Sequence, residues 1–134
     1  MVYQTRPKLS TVIRAYVPST LPQVVAWHEA GAIPAGTPIN AVTPTLRSSY
    51  PDADEEELEF LATKAAEELS TVAAMTSGQR RATVAVDVPA PNAIAVDGGT
   101  TSMTLTADVP LADWAALFVD DLEWYAVAEI PHLQ

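Results

Sequence analysis

The densest run of ionisable side chains in this sequence is Asp52–Glu59 (DADEEELE). Glu55 and Glu59 stand one helical turn apart, and carboxylate oxygens at that spacing suit a hard divalent cation. A calcium loop would alternate its ligands and place a glycine at its sharp turn, and this run does neither. Asp54 followed by Glu57 has the spacing of a capping box. Acids in a first helical turn also meet the positive end of the helix dipole, a gain of about 0.3–1 kcal/mol each. Helix initiation accounts for the run, and no metal ligand set is assigned to it.

The remaining chemistry-bearing residues are sparse. Arg14, Arg47 and Tyr50 fall near strand and helix ends and are the residue types that build a small anion or carboxylate site. In so acidic a chain, a salt bridge from Arg47 to the acidic helix start is the simpler use of that charge. His28 and His132 are the only histidines and there is no cysteine, so thiolate zinc, disulfides and a cysteine nucleophile are excluded. No Ser–His–Asp pattern or nucleophile elbow accompanies either histidine. The five glycines, Gly31, Gly36, Gly78, Gly98 and Gly99, fit helix ends, a loop and a hairpin rather than a phosphate loop. Asp120 and Asp121 are adjacent and do not form a glycosidase-type pair. No catalytic residue and no cofactor is assigned, and the reading leans away from an enzyme. Trp124 and Tyr125 are candidates for an interface hot spot, while core packing is the expected fate of at least two of Trp27, Trp114 and Trp124.

These residues need elements to hold them. Met1–Ser10 carries Arg6, Pro7 and Lys8 without periodicity and reads as a flexible leader preceding a single domain over residues 11–134. Thr11–Val17 is rich in β-branched and aromatic residues and predicts a strand that Pro18 ends. Thr20 is placed to cap a helix with Pro22 in its first turn, Leu21, Val24, Val25 and His28 at helical spacing, and Gly31 as its stop. Ile33–Pro38 reads as loop, and Thr43-Pro44 opens a short helix through Arg47. The clearest helix runs from about Asp54 to Thr76, with Leu58, Leu61, Ala65, Leu69, Val72 and Thr76 as its apolar stripe and Gly78 as its C-terminal cap.

Beyond Gly78 the period changes to two. Thr83–Pro89 and Thr101–Val109 alternate, and Asp97-Gly98-Gly99 turns the chain between Ala93–Val96 and the second of these. Leu111–Trp114 fits one helical turn. Ala115–Val119 is an unbroken apolar run, as a central strand covered on both faces would be. From Asp120-Asp121 onward, a helix to about Ile130 and a strand over Trp124–Val127 fit equally well. The fold class is α+β: a single compact domain with a mixed, mostly antiparallel sheet of four to five strands and helices packed mainly on one face.

Composition bounds the rest. With 134 residues, 49% hydrophobic and 18% charged, the chain has enough apolar content for one packed core. Its net charge of −10 opposes binding to nucleic acid or to an anionic membrane, since both surfaces are negative. No stretch approaches the roughly 20 apolar residues of a membrane-spanning helix. A cytoplasmic location is expected.

Tyr16-Val17-Pro18, Ala41-Val42-Thr43-Pro44-Thr45-Leu46-Arg47, Asp54-Glu55-Glu56-Glu57-Leu58-Glu59-Phe60, Phe118-Val119-Asp120-Asp121 and Trp124-Tyr125 together resemble an uncharacterised family of small actinobacterial proteins carrying a domain of unknown function. The most specific parts are AVTPTLR followed by DEEELEF, and the terminal WY segment with Glu129. The resemblance spans most of the chain after Ser10. It implies an actinobacterial, cytoplasmic origin and carries over no activity, cofactor or catalytic residue.

The functional expectation is therefore a non-enzymatic acidic interaction or accessory protein, meeting an unknown protein partner or itself through Glu55, Glu56 and Glu59 or through Trp124 and Tyr125. The alternative is a small-molecule-binding domain or enzyme with a pocket near Arg47 and Tyr50.

Overall fold

The computed structural model describes residues 12–120 and 123–133. The expected leader Met1–Ser10, and Asp121, lie outside the described residues. Strands run β1 Val12–Thr20, β2 Ala32–Ile33, β3 Pro38–Ala41, β4 Arg81–Pro89, β5 Ala93–Ala95, β6 Ser102–Leu105, β7 Val109–Pro110, β8 Trp114–Val119 and β9 Glu123–Tyr125. Helices are α1 Leu21–Ala30, α2 Pro44–Ser49 and α3 Glu55–Ser77, with a 3-10 segment over Val127–His132.

The main sheet has seven strands in the order β5-β6-β3-β1-β4-β8-β9, and every pairing is antiparallel. β2 and β7 form a separate two-stranded sheet. The expected mixed sheet of four to five strands is thus corrected to seven antiparallel strands. The additions are β3, whose four residues are too few for a period of two to stand out, and β9, the strand alternative after Asp120. The segment expected as one strand over Thr101–Val109 is divided between β6 and β7.

The strands pair centrally on β1, not on β8. β8 lies one strand from the edge, so the central position expected for Ala115–Val119 is also corrected. Its unbroken apolar run reflects a register shift: Ala85 faces Ala116 but Val86 faces Trp114, leaving Ala115 as the extra residue. β1 in turn continues past Pro18 to Thr20. β3 pairs with β1 only at Ala15 and Tyr16, so Pro18, which has no N–H, lies where that side of β1 carries no neighbouring strand.

Both faces of the sheet are covered, where helices on mainly one face were expected. Ala15, Val17, Val84, Val86, Val88 and Leu117 face one way and pack with Leu21, Val24 and Val25 of α1 and with Ile130 of the 3-10 segment. Tyr16 and Ala85 face the other way and pack with Ala62 and Ala66 of α3. Alternate residues of β1 and β4 are apolar on both sides, so neither face tolerates water and each needs its own helix.

Local signals end the helices as their residue types require. Thr43 accepts from Leu46 N–H at 3.0 Å, and Asp54 and Glu57 close a reciprocal capping box at 2.8 and 3.0 Å. Gly31 and Gly78 take left-handed backbone at φ 94° and 75°, which a side chain would strain. Thr20 precedes α1 but makes no side-chain cap; the first free N–H of that helix, on Leu21, donates to Arg80 O at 2.9 Å instead. The even choice after Asp120 resolves into strand β9 followed by the 3-10 segment.

Candidate functional site

α3 carries two stripes of apolar residues, and the sheet takes the smaller one. Leu58, Ala62, Ala66 and Ser70, at steps of four, are the buried residues of the helix. Short side chains bring the helix axis close to the strands, and Ser70 uses that approach. Its hydroxyl donates to Ser19 O at 2.6 Å and accepts from Ala82 N–H at 3.0 Å. Of the stripe expected on the inner face, Leu58, Leu61, Ala65, Leu69, Val72 and Thr76, Leu58 is buried, and the rest is turned from the core by roughly one residue step of 100°. Val72 is 60% exposed, Leu69 49% and Met75 79%, a row stepping by three residues, while Phe60, 63% exposed, lies nearer the start of the helix and about half a turn round it from Leu69. Exposed apolar residues scattered singly are ordinary; a row of them along one helix is not.

Two concavities flank this row. One, of about 370 Å³, lies between α3 and the turn joining β5 to β6. The other, of about 530 Å³, lies over the first turns of α3 and is lined by Tyr50, Ala53, Glu56, Glu57, Phe60 and Leu61. Within the first, Asn40 of β3 is 2% exposed, and its Nδ2 donates to Thr101 Oγ1 at 2.8 Å. Asn40 Oδ1 is buried with no hydrogen-bond partner among the described residues. The turn forming the opposite wall is held by the Thr43 hydroxyl, which donates to Thr100 O.

The expected site residues separate in space. Arg47 makes a two-pronged pair with Glu55, both contacts at 2.8 Å, and lines neither concavity. Its guanidinium holds the Glu55 carboxyl below the usual carboxylate range. Glu59 is turned toward the sheet and accepts from Tyr16 Oη at 2.7 Å. Burial, reinforced by that hydrogen bond, pushes the Tyr16 phenol up to about 12. Glu56 points into the second concavity and forms no ion pair among the described residues. The three glutamates therefore do three different things. Tyr50, at the end of α2, lines both concavities.

Arg14 pairs with Asp87 at 2.8 Å on β4, away from Arg47. Trp124 is 57% exposed on the edge strand β9. Tyr125, its neighbour on the opposite face, packs against the main core and donates to Glu123 Oε1 at 3.0 Å. The two aromatics do not form one patch. His28 sits edge-on to Trp114, with ring centres 5.9 Å apart. Among the described residues no cluster of three or more histidine or carboxylate groups is placed to hold a metal ion.

Phe60, Met75, Glu68 and Asn40 were not among the expected site residues. Phe60 and Met75 had a readable signal, because α3 holds more large apolar residues than a single inward stripe accommodates. Asn40 had none: its role follows from burial, which a four-residue strand does not announce.

The sequence profile of a family of unknown function, DUF6912, matches residues 13–123. The chain belongs to this family. The matched span runs from the second residue of β1 to the first of β9, so the DUF6912 unit includes all three helices and both concavities. No curated protein and no solved structure matches the chain.

Proposed function

We propose that this DUF6912 protein is a non-enzymatic interaction or accessory protein that docks a basic partner protein on the outward face of α3. The observation that carries the reading is the row Leu69, Val72 and Met75, stepping by three residues and exposed on a helix whose buried side is mostly small residues, Leu58 excepted. Glu68 borders this row, and Glu56 and Glu57 border Phe60 nearer the start of the helix, with Lys64 as the one basic residue between them. A net charge of −10 makes a second copy of this chain a poor occupant, because like charges would meet across the interface. It also opposes nucleic acid. A partner with an apolar ridge and a lysine- or arginine-rich rim satisfies both the row and its border. The reading keeps the cytoplasmic location expected from the sequence, which has no long apolar stretch.

The rival, a small-molecule-binding domain or enzyme centred on Arg47 and Tyr50, finds Tyr50 at both concavities but Arg47 committed to Glu55. The test is affinity capture from native-source extract at low and high salt, with the Val72→Glu/Met75→Glu variant in parallel and crosslinks mapped to residues. A basic partner crosslinked to α3, lost from the variant and weakened by salt, is the expected result. A partner retained equally by the variant, crosslinks to β9 around Trp124, or a homodimer through α3 overturns the reading. Both substitutions lie at exposed positions, so thermal unfolding of the variant is expected to match the parent within about 0.5 kcal/mol.

A further inference from the structure

The cleft between α3 and the β5–β6 turn is built to receive a charged group of one sign. Its lining contains one carboxylate, Glu68, and no basic side chain. Glu68 forms no ion pair among the described residues. On the inner wall, Asn40 presents an amide whose oxygen is buried without a donor among the described residues, an unfavourable state when nothing fills it. The backbone carbonyls of the turn are already used: Gly99 O accepts from Ser102 N–H, Thr101 O from Ala41 N–H, and Ser102 O from Val96 N–H. Two acceptors of the lining stand apart from the turn: Asn40 Oδ1 within and the Glu68 carboxylate at the rim. Between them runs an aliphatic wall of Leu61, Ala65, Leu69 and Val72.

The geometry points to a binding site for an alkylammonium group, its N–H donors directed to Asn40 and Glu68 and its methylene chain laid along the aliphatic wall of α3. An ammonium has donors and no acceptor, which matches the Glu68 carboxylate and the unfilled Asn40 Oδ1. A carboxylate or phosphate would meet Glu68 as a like charge and leave Asn40 Oδ1 unfilled. A neutral alkyl alcohol offers one donor and no attraction to Glu68. At about 370 Å³ the cleft is of the size that holds small ligands. The group can arrive on a free aliphatic amine or on a lysine side chain. The site stands independently of the docking reading, although Leu69 and Val72 serve both.

The experiment is a titration of the isotope-labelled full chain, followed by amide and side-chain-amide NMR, with n-butylammonium, n-butanol and n-butyrate as probes. Saturable shifts at the Asn40 side-chain amide, Thr101 and Val72 are expected with butylammonium, with no saturation by butyrate. The preference for butylammonium over butanol is expected to be roughly two- to fivefold, the scale of a partly exposed ion pair, and to vanish in Glu68→Gln. Ala65→Phe, which fills the cleft from a helix position that is not fully buried, abolishes binding of both. Nα-acetyl-lysine methylamide binding more tightly than butylammonium assigns the group to a polypeptide lysine; weaker binding assigns it to a free amine. Shifts that do not saturate, shifts confined to residues outside the cleft, or equal affinity for butyrate overturn the proposal. Met75→Glu, outside the cleft lining, leaves butylammonium binding intact even where it removes partner docking, so the two proposals fail separately.

Discussion

The two faces of the sheet are closed by different means. On the α1 side, bulky side chains meet bulky side chains: Val17, Val24, Ile33, Leu117 and Ile130 are all fully buried. On the α3 side the contact is made by Tyr16, Ala62, Ala66 and Ala85, with Leu58 buried near the start of the helix, while the large residues Phe60, Leu69, Val72 and Met75 are turned outward. Burial of apolar area supplies most of the driving force for folding, about 25 cal/mol per Å². The α1 side therefore holds the larger share of the stability. The α3 side yields some of that gain and retains an apolar surface available for something else. Close approach through alanines and the Ser70 hydroxyl keeps α3 in place despite the smaller buried area.

The sharpest way to break this contrast is to empty one side and crowd the other. Leu117→Ala on the α1 side removes a fully buried side chain and is expected to cost about 2–5 kcal/mol in urea unfolding. Ala66→Leu on the α3 side inserts bulk where helix and sheet are in close contact, with an expected loss of about 1–3 kcal/mol by the same measurement. If Ala66→Leu were neutral, the close-approach account of α3 would be wrong.

The smallest effect sharpens the comparison on the α3 side, where a phenol and a carboxylate share a contact at 2.7 Å. Tyr16→Phe at neutral pH is expected to cost about 1 kcal/mol. The Tyr16 phenol is held at about 12 in the folded chain, above its ordinary value near 10. The folded state thus binds that proton more tightly than the unfolded state does. This contribution is fully present below pH 10 and is lost as pH climbs from 10 toward 12. Parallel unfolding series for Tyr16→Phe and the parent should converge across that window; parallel curves would remove Tyr16 as the cause.

What the sequence made legible is what neighbours in the chain decide. Thr43 caps α2, Asp54 and Glu57 close their box, Gly31 and Gly78 terminate helices, and Asp97-Gly98-Gly99 turns a hairpin. Each depends on residues within one turn of itself. The orientation of α3 was not legible, because Leu61-Ala65-Leu69 and Ala62-Ala66-Ser70 both repeat at four, and only the shape of the sheet selects between them. β3 was missed for a related reason: Pro38-Ile39-Asn40-Ala41 becomes a strand through β1 and β6, which are far away in the chain. The candidate site inherits this difficulty. Glu56 and Tyr50 were identifiable by type, whereas the cleft exists only once α3 and the β5–β6 turn are brought together.

The position of β1 also governs the order in which the molecule can assemble. The first strand of the sheet to leave the ribosome is the middle one, and its long partner β4 begins only at Arg81. Pairing Thr20 with Arg81 closes a loop running from residue 21 to residue 80, and the entropy of that closure must be met before the ladder returns anything. During synthesis β3 can meet β1 early but only at Ala15 and Tyr16, while the edge of β1 that β4 will take stays open. Translation must pass Pro89 before the centre of the sheet can exist, so folding of this chain is expected to be gated by one late, long-range encounter.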